Sequence, residues 1–146
     1  MREQTIENFM STVLVVIEPR RTLAEAARVM RAHDIRHLPV VESGRIVGVL
    51  SQRDVYLVET LSDADPEEIR VDEAMTPEPF VVDPDEPVHV VAKRMAEKKL
   101  GSAVVAHGGK LLGLFTVTDA LRALAVFTHP AARILEVPAL PQEEDV

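Results

Sequence analysis

Seven consecutive residues of this chain come back, altered but recognisable, in its second half. Gly48-Val49-Leu50-Ser51-Gln52-Arg53-Asp54 returns 65 positions later as Gly113-Leu114-Phe115-Thr116-Val117-Thr118-Asp119, with glycine, hydroxyl and carboxylate in the same places. The offset holds without a gap: Ile6 matches Val71, Met10 matches Met75, Pro19 matches Pro84, Ala27 matches Ala92, Met30 matches Met95, Val40 matches Val105 and Gly44 matches Gly109. A register kept over that length means two copies of one supersecondary unit, and such copies usually bury their open faces against each other. Approximate two-fold symmetry follows as an expectation, with the two seven-residue motifs facing one central cleft.

Each copy reads as β-α-β-β-α. In the first, Val13-Leu14-Val15-Val16-Ile17 is a β-branched run suited to a strand buried on both faces. Thr22-Leu23-Ala24-Glu25 has the form of a capping box, and Leu23, Ala26, Ala27 and Met30 follow the spacing of a helix face, ending near His33-Asp34. Leu38-Pro39-Val40-Val41 and Ile46 to Leu50 flank Glu42-Ser43-Gly44-Arg45, a tight hairpin signal. A second helix follows from about Asp54 to Leu61. The helix crossing between the first strand and the hairpin implies a parallel pairing and a right-handed connection. In the second copy Asp85-Glu86-Pro87-Val88 replaces the capping box as a helix start, and the hairpin turns on His107-Gly108-Gly109-Lys110.

The organisation this predicts is a first domain over residues 6–61, a linker over 62–70 rich in acidic residues, a second domain over 71–127 and an extension over 128–146 that holds Pro130, Pro138 and Pro141. The last helix, Ala120 to Phe127, is apolar nearly all round apart from Arg122, more than one half-buried face needs, so a second subunit is its expected cover and a homodimer the expected assembly.

Composition narrows the function. With 47% apolar residues the chain can bury a real core, yet only 3% are aromatic, which argues against base-stacking nucleic-acid modules. The net charge of −8 would repel a phosphate backbone, and there is no Lys/Arg-rich patch for nucleic acid or anionic membrane. Cysteine is absent, which removes disulfides, Cys-ligated zinc and thiol catalysis. His33, His89, His107 and His129 are scattered without metal-ligand spacing. No apolar run has the length of a membrane span and the amino terminus has no signal-type stretch, so a cytoplasmic protein without a catalytic centre is expected.

Each motif sits where a strand hands over to a helix, a junction that suits a small anionic ligand because the first helical N–H groups lack internal partners. A second reading makes Asp54 and Asp119 helix N-caps only, with Gly48 and Gly113 as packing glycines that let the backbone approach a ligand or a facing strand.

Taken with Met10-Ser11, Arg36-His37-Leu38-Pro39-Val40-Val41 and Met75-Thr76-Pro77, the repeat resembles a tandem pair of CBS domains over roughly Ile6 to Phe127. The resemblance implies an α/β (α+β) fold and a regulatory module that senses an adenosyl compound, AMP, ADP, ATP or S-adenosylmethionine, in the cleft between the repeats, with no cofactor required and an unknown regulated protein as partner. It also implies that Asp54 with Ser51, and Asp119 with Thr116, hold ribose and phosphate. Arg36, His37 and Arg53 would face phosphate. Adenine would be read by Thr12, Val13 and Leu14 with Ile35 and Leu38, and by Pro77 and Phe80 with Leu100, Ser102 and Ala103. Because the places of Arg36, His37 and Arg53 are taken by Gly101, Ser102 and Thr118 in the second copy, at most one strong site per chain is expected, on the Ser51 and Asp54 side. The competing class is a dimerisation module without a ligand.

Overall fold

The computed structural model describes residues 4–12 and 15–129. Val13, Leu14 and the extension from Pro130 on lie outside the described residues. The chain folds as two compact units, one spanning Val13–Pro79 and the other joining Met1–Thr12 to Phe80–Val146. They are called the contiguous and the two-segment unit below.

In the contiguous unit, helix α1 (Leu23–His33) begins at the predicted capping box: Glu25 N–H donates to Thr22 Oγ1 at 3.1 Å and Thr22 N–H to Glu25 Oε1 at 3.0 Å. It stops where Asp34 turns left-handed at φ 53. Strands β2 (His37–Glu42) and β3 (Arg45–Ser51) form the hairpin, and Ser43 and Gly44 both take the positive φ that a two-residue turn demands. Helix α2 (Gln52–Glu59) follows directly, then the short α3 (Val71–Ala74) and strand β4 (Thr76–Pro77), which pairs antiparallel to β3. Of the run Val13 to Ile17, the described part is less regular than its composition suggests. Only Ile17 bridges, in parallel, to Val40, while Val16 is exposed.

The two-segment unit opens with a single turn at Ile6–Asn8 and strand β1 (Ser11–Thr12). It continues with β5 (Val81–Val82), α4 (Val88–Lys98), β6 (Ser102–His107), β7 (Lys110–Thr116) and α5 (Val117–Thr128). The sheet order is β1-β7-β6-β5, and β5 pairs parallel to β6 as a crossover requires. Pro87 stands at the N-cap of α4 without a side-chain cap, so Asp85 and Glu86 precede the first turn.

The repeats therefore exchange short pieces. Ile6, from the first repeat, is fully buried in the core of Val82, Val91, Met95, Val105 and Phe115, whereas its counterpart Val71 is fully buried with Leu23, Met30, Leu38, Val40 and Leu50. At one matching place the cross-strand pairs of the two cores differ in size. Leu38 faces Leu50 across the first hairpin, and Ala103 faces Phe115 at the same place in the second.

Each unit also closes its hairpin against the turn before its first helix with an ion pair; Glu42 and His107 hold matching positions, whereas their partners Arg20 and Asp83 do not. In the contiguous unit Arg20 Nη1 meets Glu42 Oε2 at 2.9 Å; in the other, His107 Nδ1 meets Asp83 Oδ2 at 2.9 Å. Hydrogen bonding to Asp83, then its charge, raises His107 above its ordinary pKa, and the same bond lowers Asp83. Asp85 beside them is pushed up by Asp83. For His107 the stabilisation is present below the unfolded value and lost as pH rises through the raised one; for Asp83 it is present above the unfolded value and lost as pH falls through the lowered one. The pair thus contributes fully between about pH 4 and pH 6.5. NMR titration should place the His107 ring above its ordinary value, and Asp83→Asn should return it there. An unchanged midpoint in that variant would show that the contact is not formed in solution.

Candidate functional site

Each motif places its hydroxyl at the last residue of a strand and its carboxylate in the first turn of a helix. Ser51, extended at φ −105, is the N-cap of α2, and Asp54 is the third helical residue: Ser51 N–H donates to Asp54 Oδ2 at 2.8 Å and Asp54 N–H to Ser51 Oγ at 3.1 Å. Thr116 and Asp119 repeat the arrangement at the start of α5, with 2.8 Å from Thr116 N–H to Asp119 Oδ2 and 3.4 Å from Asp119 N–H to Thr116 Oγ1. The hydroxyl residue, not the aspartate, is therefore the N-cap, and the pair forms a capping box.

The helix N-termini are less open than the general argument suggests. Gln52 N–H donates to the Arg36 carbonyl at 2.8 Å and Val117 N–H to the Gly101 carbonyl at 3.2 Å. With the third N–H of each helix capped as well, what stays open at each junction among the described residues is the second helical N–H, that of Arg53 or Thr118, and the side chains.

There the two junctions differ. Asp54 is half-buried; its Oδ2 takes the one bond from Ser51, and its Oδ1 has no donor among the described residues. The Ser51 hydroxyl proton likewise has no acceptor among them. Asp119 is only 1% exposed and engaged on both oxygens. Oδ2 also accepts from Thr116 Oγ1 at 3.1 Å, and Oδ1 accepts from Ser11 Oγ at 3.0 Å and Arg122 Nη1 at 2.9 Å.

The remaining expected site residues fall into place unit by unit. Ile35, Arg36, His37 and Leu38 lead into β2 in the contiguous unit, with His37 opposite Ser51 in the hairpin register. Arg36 and Arg53 are exposed and form no ion pair among the described residues. Leu38 has no exposed surface. Pro77 joins this unit through β4, opposite Gly48. Thr12 does not join it; it lies on β1 opposite Gly113, in the same unit as Thr116 and Asp119. Leu100 and Ser102 are half-buried beside α4 and β6, Ala103 is fully buried, and the Phe80 ring carries the Arg94 guanidinium at 5.8 Å and the Lys98 ammonium at 5.4 Å from its centroid. Sequence reasoning assigns no role to Ser11 or Arg122. The spacing of Arg122 three residues after Asp119 is the one signal that could have found it.

Gly48 and Gly113 answer to their neighbouring strands. A methyl group on Gly48 would lie 2.5 Å from the Met75 sulfur and 2.8 Å from the Thr76 carbonyl oxygen; on Gly113 it would collide with the Ser11 carbonyl oxygen and lie 3.1 Å from the Met10 sulfur.

Among the described residues no group of His, Asp and Glu could hold a metal ion, and no helix is long and apolar enough to cross a membrane. A family model described as the CBS domain matches residues 6–58 and again 71–126. The chain belongs to the CBS-domain family. CBS repeats thus account for the mixed helix-and-strand fold and for both capping-box junctions. The chain is 34% identical over 114 residues to an inosine-5'-monophosphate dehydrogenase of Korarchaeum cryptofilum, a match that takes in 77% of this chain but only 23% of that enzyme. Two CBS structures share its fold. CBSX2, solved in complex with AMP, has a TM-score of 0.73 and 24% identity over 86% of this chain and 99% of its own. The CBS domain pair of protein MJ0100, solved in complex with 5-methylthioadenosine and S-adenosyl-L-methionine, has a TM-score of 0.74 and 23% identity over 85% of this chain and 98% of its own.

Proposed function

We propose that this CBS pair is a regulatory module that binds an adenosyl compound through the Ser51 and Asp54 junction. The observation that carries the reading is the state of Asp54: a half-buried carboxylate, oriented by one backbone N–H, with no donor to its second oxygen among the described residues. A carboxylate so held can accept from two vicinal ribose hydroxyls, while the Ser51 hydroxyl can donate to phosphate and Arg36 and Arg53 can counter its charge. The adenosyl ligands of the two structural relatives support the same chemical class. Binding would act by differential affinity, stabilising one arrangement of the repeats over another.

Calorimetric and thermal-shift titration with AMP, ADP, ATP and S-adenosylmethionine tests the reading. Saturable binding by at least one of them is expected. No response to any at millimolar concentration would leave the dimerisation module as the better account.

One observation favours assembly in either case. Val117, Leu121, Leu124 and Val126 are all exposed on α5, Leu121 to 59%. An unpartnered apolar surface of that kind is rarely left to water. The proposed cover is a second copy of the chain. Light scattering should give the mass of a dimer, and Leu121→Glu with Leu124→Glu should give a monomer; a wild-type monomer at micromolar concentration would sink the proposal.

A further inference from the structure

The two junctions share one backbone design yet differ in what reaches the carboxylate. An ionised carboxylate has about four acceptor positions. On Asp119 they are taken by Thr116 N–H, Thr116 Oγ1, Ser11 Oγ and Arg122 Nη1. On Asp54 one is taken among the described residues, by Ser51 N–H. The difference traces to two sequence positions. In the contiguous unit the residue matching Ser11 is Thr76, whose hydroxyl makes no bond to Asp54, and the residue matching Arg122 is Leu57, which has nothing to donate.

From this we infer that Ser11 and Arg122 form an internal substitute for a ligand, which keeps the Thr116 and Asp119 junction closed and limits the chain to one adenosyl site. Ser11 Oγ offers Asp119 Oδ1 the same hydroxyl donation, at 3.0 Å, that a ribose hydroxyl would offer. Arg122 supplies the charge and covers the same oxygen at 2.9 Å. A ribose diol needs both donors displaced, and it gains no bond that Asp119 does not already have. Displacing them also strips a carboxylate that is 1% exposed of its countercharge, which a neutral diol does not replace. The cover itself is built from two exposed residues, Ser11 on β1 and Arg122 on α5, so removing it takes away no apolar core side chain, at the cost of leaving the buried Asp119 carboxylate without its countercharge.

The inference rests on the reading of these junctions as ribose-binding elements, and the test separates the two. Calorimetry on the full chain with AMP, and separately with S-adenosylmethionine, should give one site per chain for the wild type and two for Ser11→Ala/Arg122→Ala. In an Asp54→Ala background, which removes the first site, the same pair of substitutions should restore one. The single variants Ser11→Ala and Arg122→Ala each leave Asp119 one of its two covering partners, and either gaining a second, weaker site supports the inference even where the double variant is poorly folded. A wild type that already binds two, or folded variants that all stay at one, would overturn it. If neither wild type nor variants bind either compound, the ribose-binding reading falls, and the inference with it.

Discussion

Asp54→Ala is expected to lower the affinity for AMP by about a hundredfold or more. A hydrogen bond to a charged group contributes about 1.5–3 kcal/mol, so losing the two that a ribose diol can make reaches the roughly 2.8 kcal/mol that a hundredfold represents. The substitution also removes the acceptor for Ser51 N–H, so part of a capping box goes with it. That costs about 1 kcal/mol of stability, to be read separately from a melting curve. Asp54→Asn keeps an oxygen for Ser51 N–H but loses the charge; it should melt near the wild type while binding as poorly as Asp54→Ala. Wild-type affinity in both variants would remove Asp54 from the site. Asp119→Ala is the contrasting case: its carboxylate is saturated by protein donors, so its loss should weaken folding far more than it weakens the first site.

The largest stability effect is expected at Gly113. Gly113→Ala would drive a methyl group into the Ser11 carbonyl oxygen, a backbone atom that cannot withdraw without opening the pairing of β1 with β7 at Ser11–Leu114 and Thr12–Gly113. Overpacking of this kind costs about 1–3 kcal/mol, and a backbone obstacle puts Gly113 at the upper end of that range. Gly48→Ala meets the flexible Met75 thioether first, but also the Thr76 carbonyl at 2.8 Å, and should cost somewhat less. Denaturant unfolding distinguishes these outcomes. A Gly113→Ala variant within a few tenths of a kcal/mol of the wild type would mean that β1 does not hold its place on β7. Because Ser11 sits on β1, the same substitution bears on the cover over Asp119.

Much of the fold was legible in the sequence because its signals are local. Thr22 with Glu25, Ser43 with Gly44, and the spacing of Leu23, Ala26 and Met30 each act within a few residues, and all three appear as read. The junction motifs were legible for the same reason, since Ser51 and Asp54 lie three residues apart. What escaped depends on contacts remote in sequence. Nothing near Ser11 announces Asp119, 108 residues away, and nothing in Val15 to Ile17 tells that only Ile17 of these three makes a bridge. The glycines were ambiguous because a close approach can serve a ligand or a strand. The residues that decide it, Met10 with Ser11 and Met75 with Thr76, belong to segments far along the chain. The sequence expectation of unequal sites rests on the cations near Ser51; the structure shows a different contrast, in how each carboxylate is hydrogen-bonded.

The exchange of Ile6 and Val71 between the cores means that inheritance and folding divide this molecule differently. The stretch that was duplicated is continuous along the chain, whereas each body that packs borrows its plug from the other copy. A chain severed between Leu61 and Val71 would give two fragments, each carrying the stopper for its sibling's core and lacking its own. Neither half fills its core alone: each depends on a side chain that the other half carries.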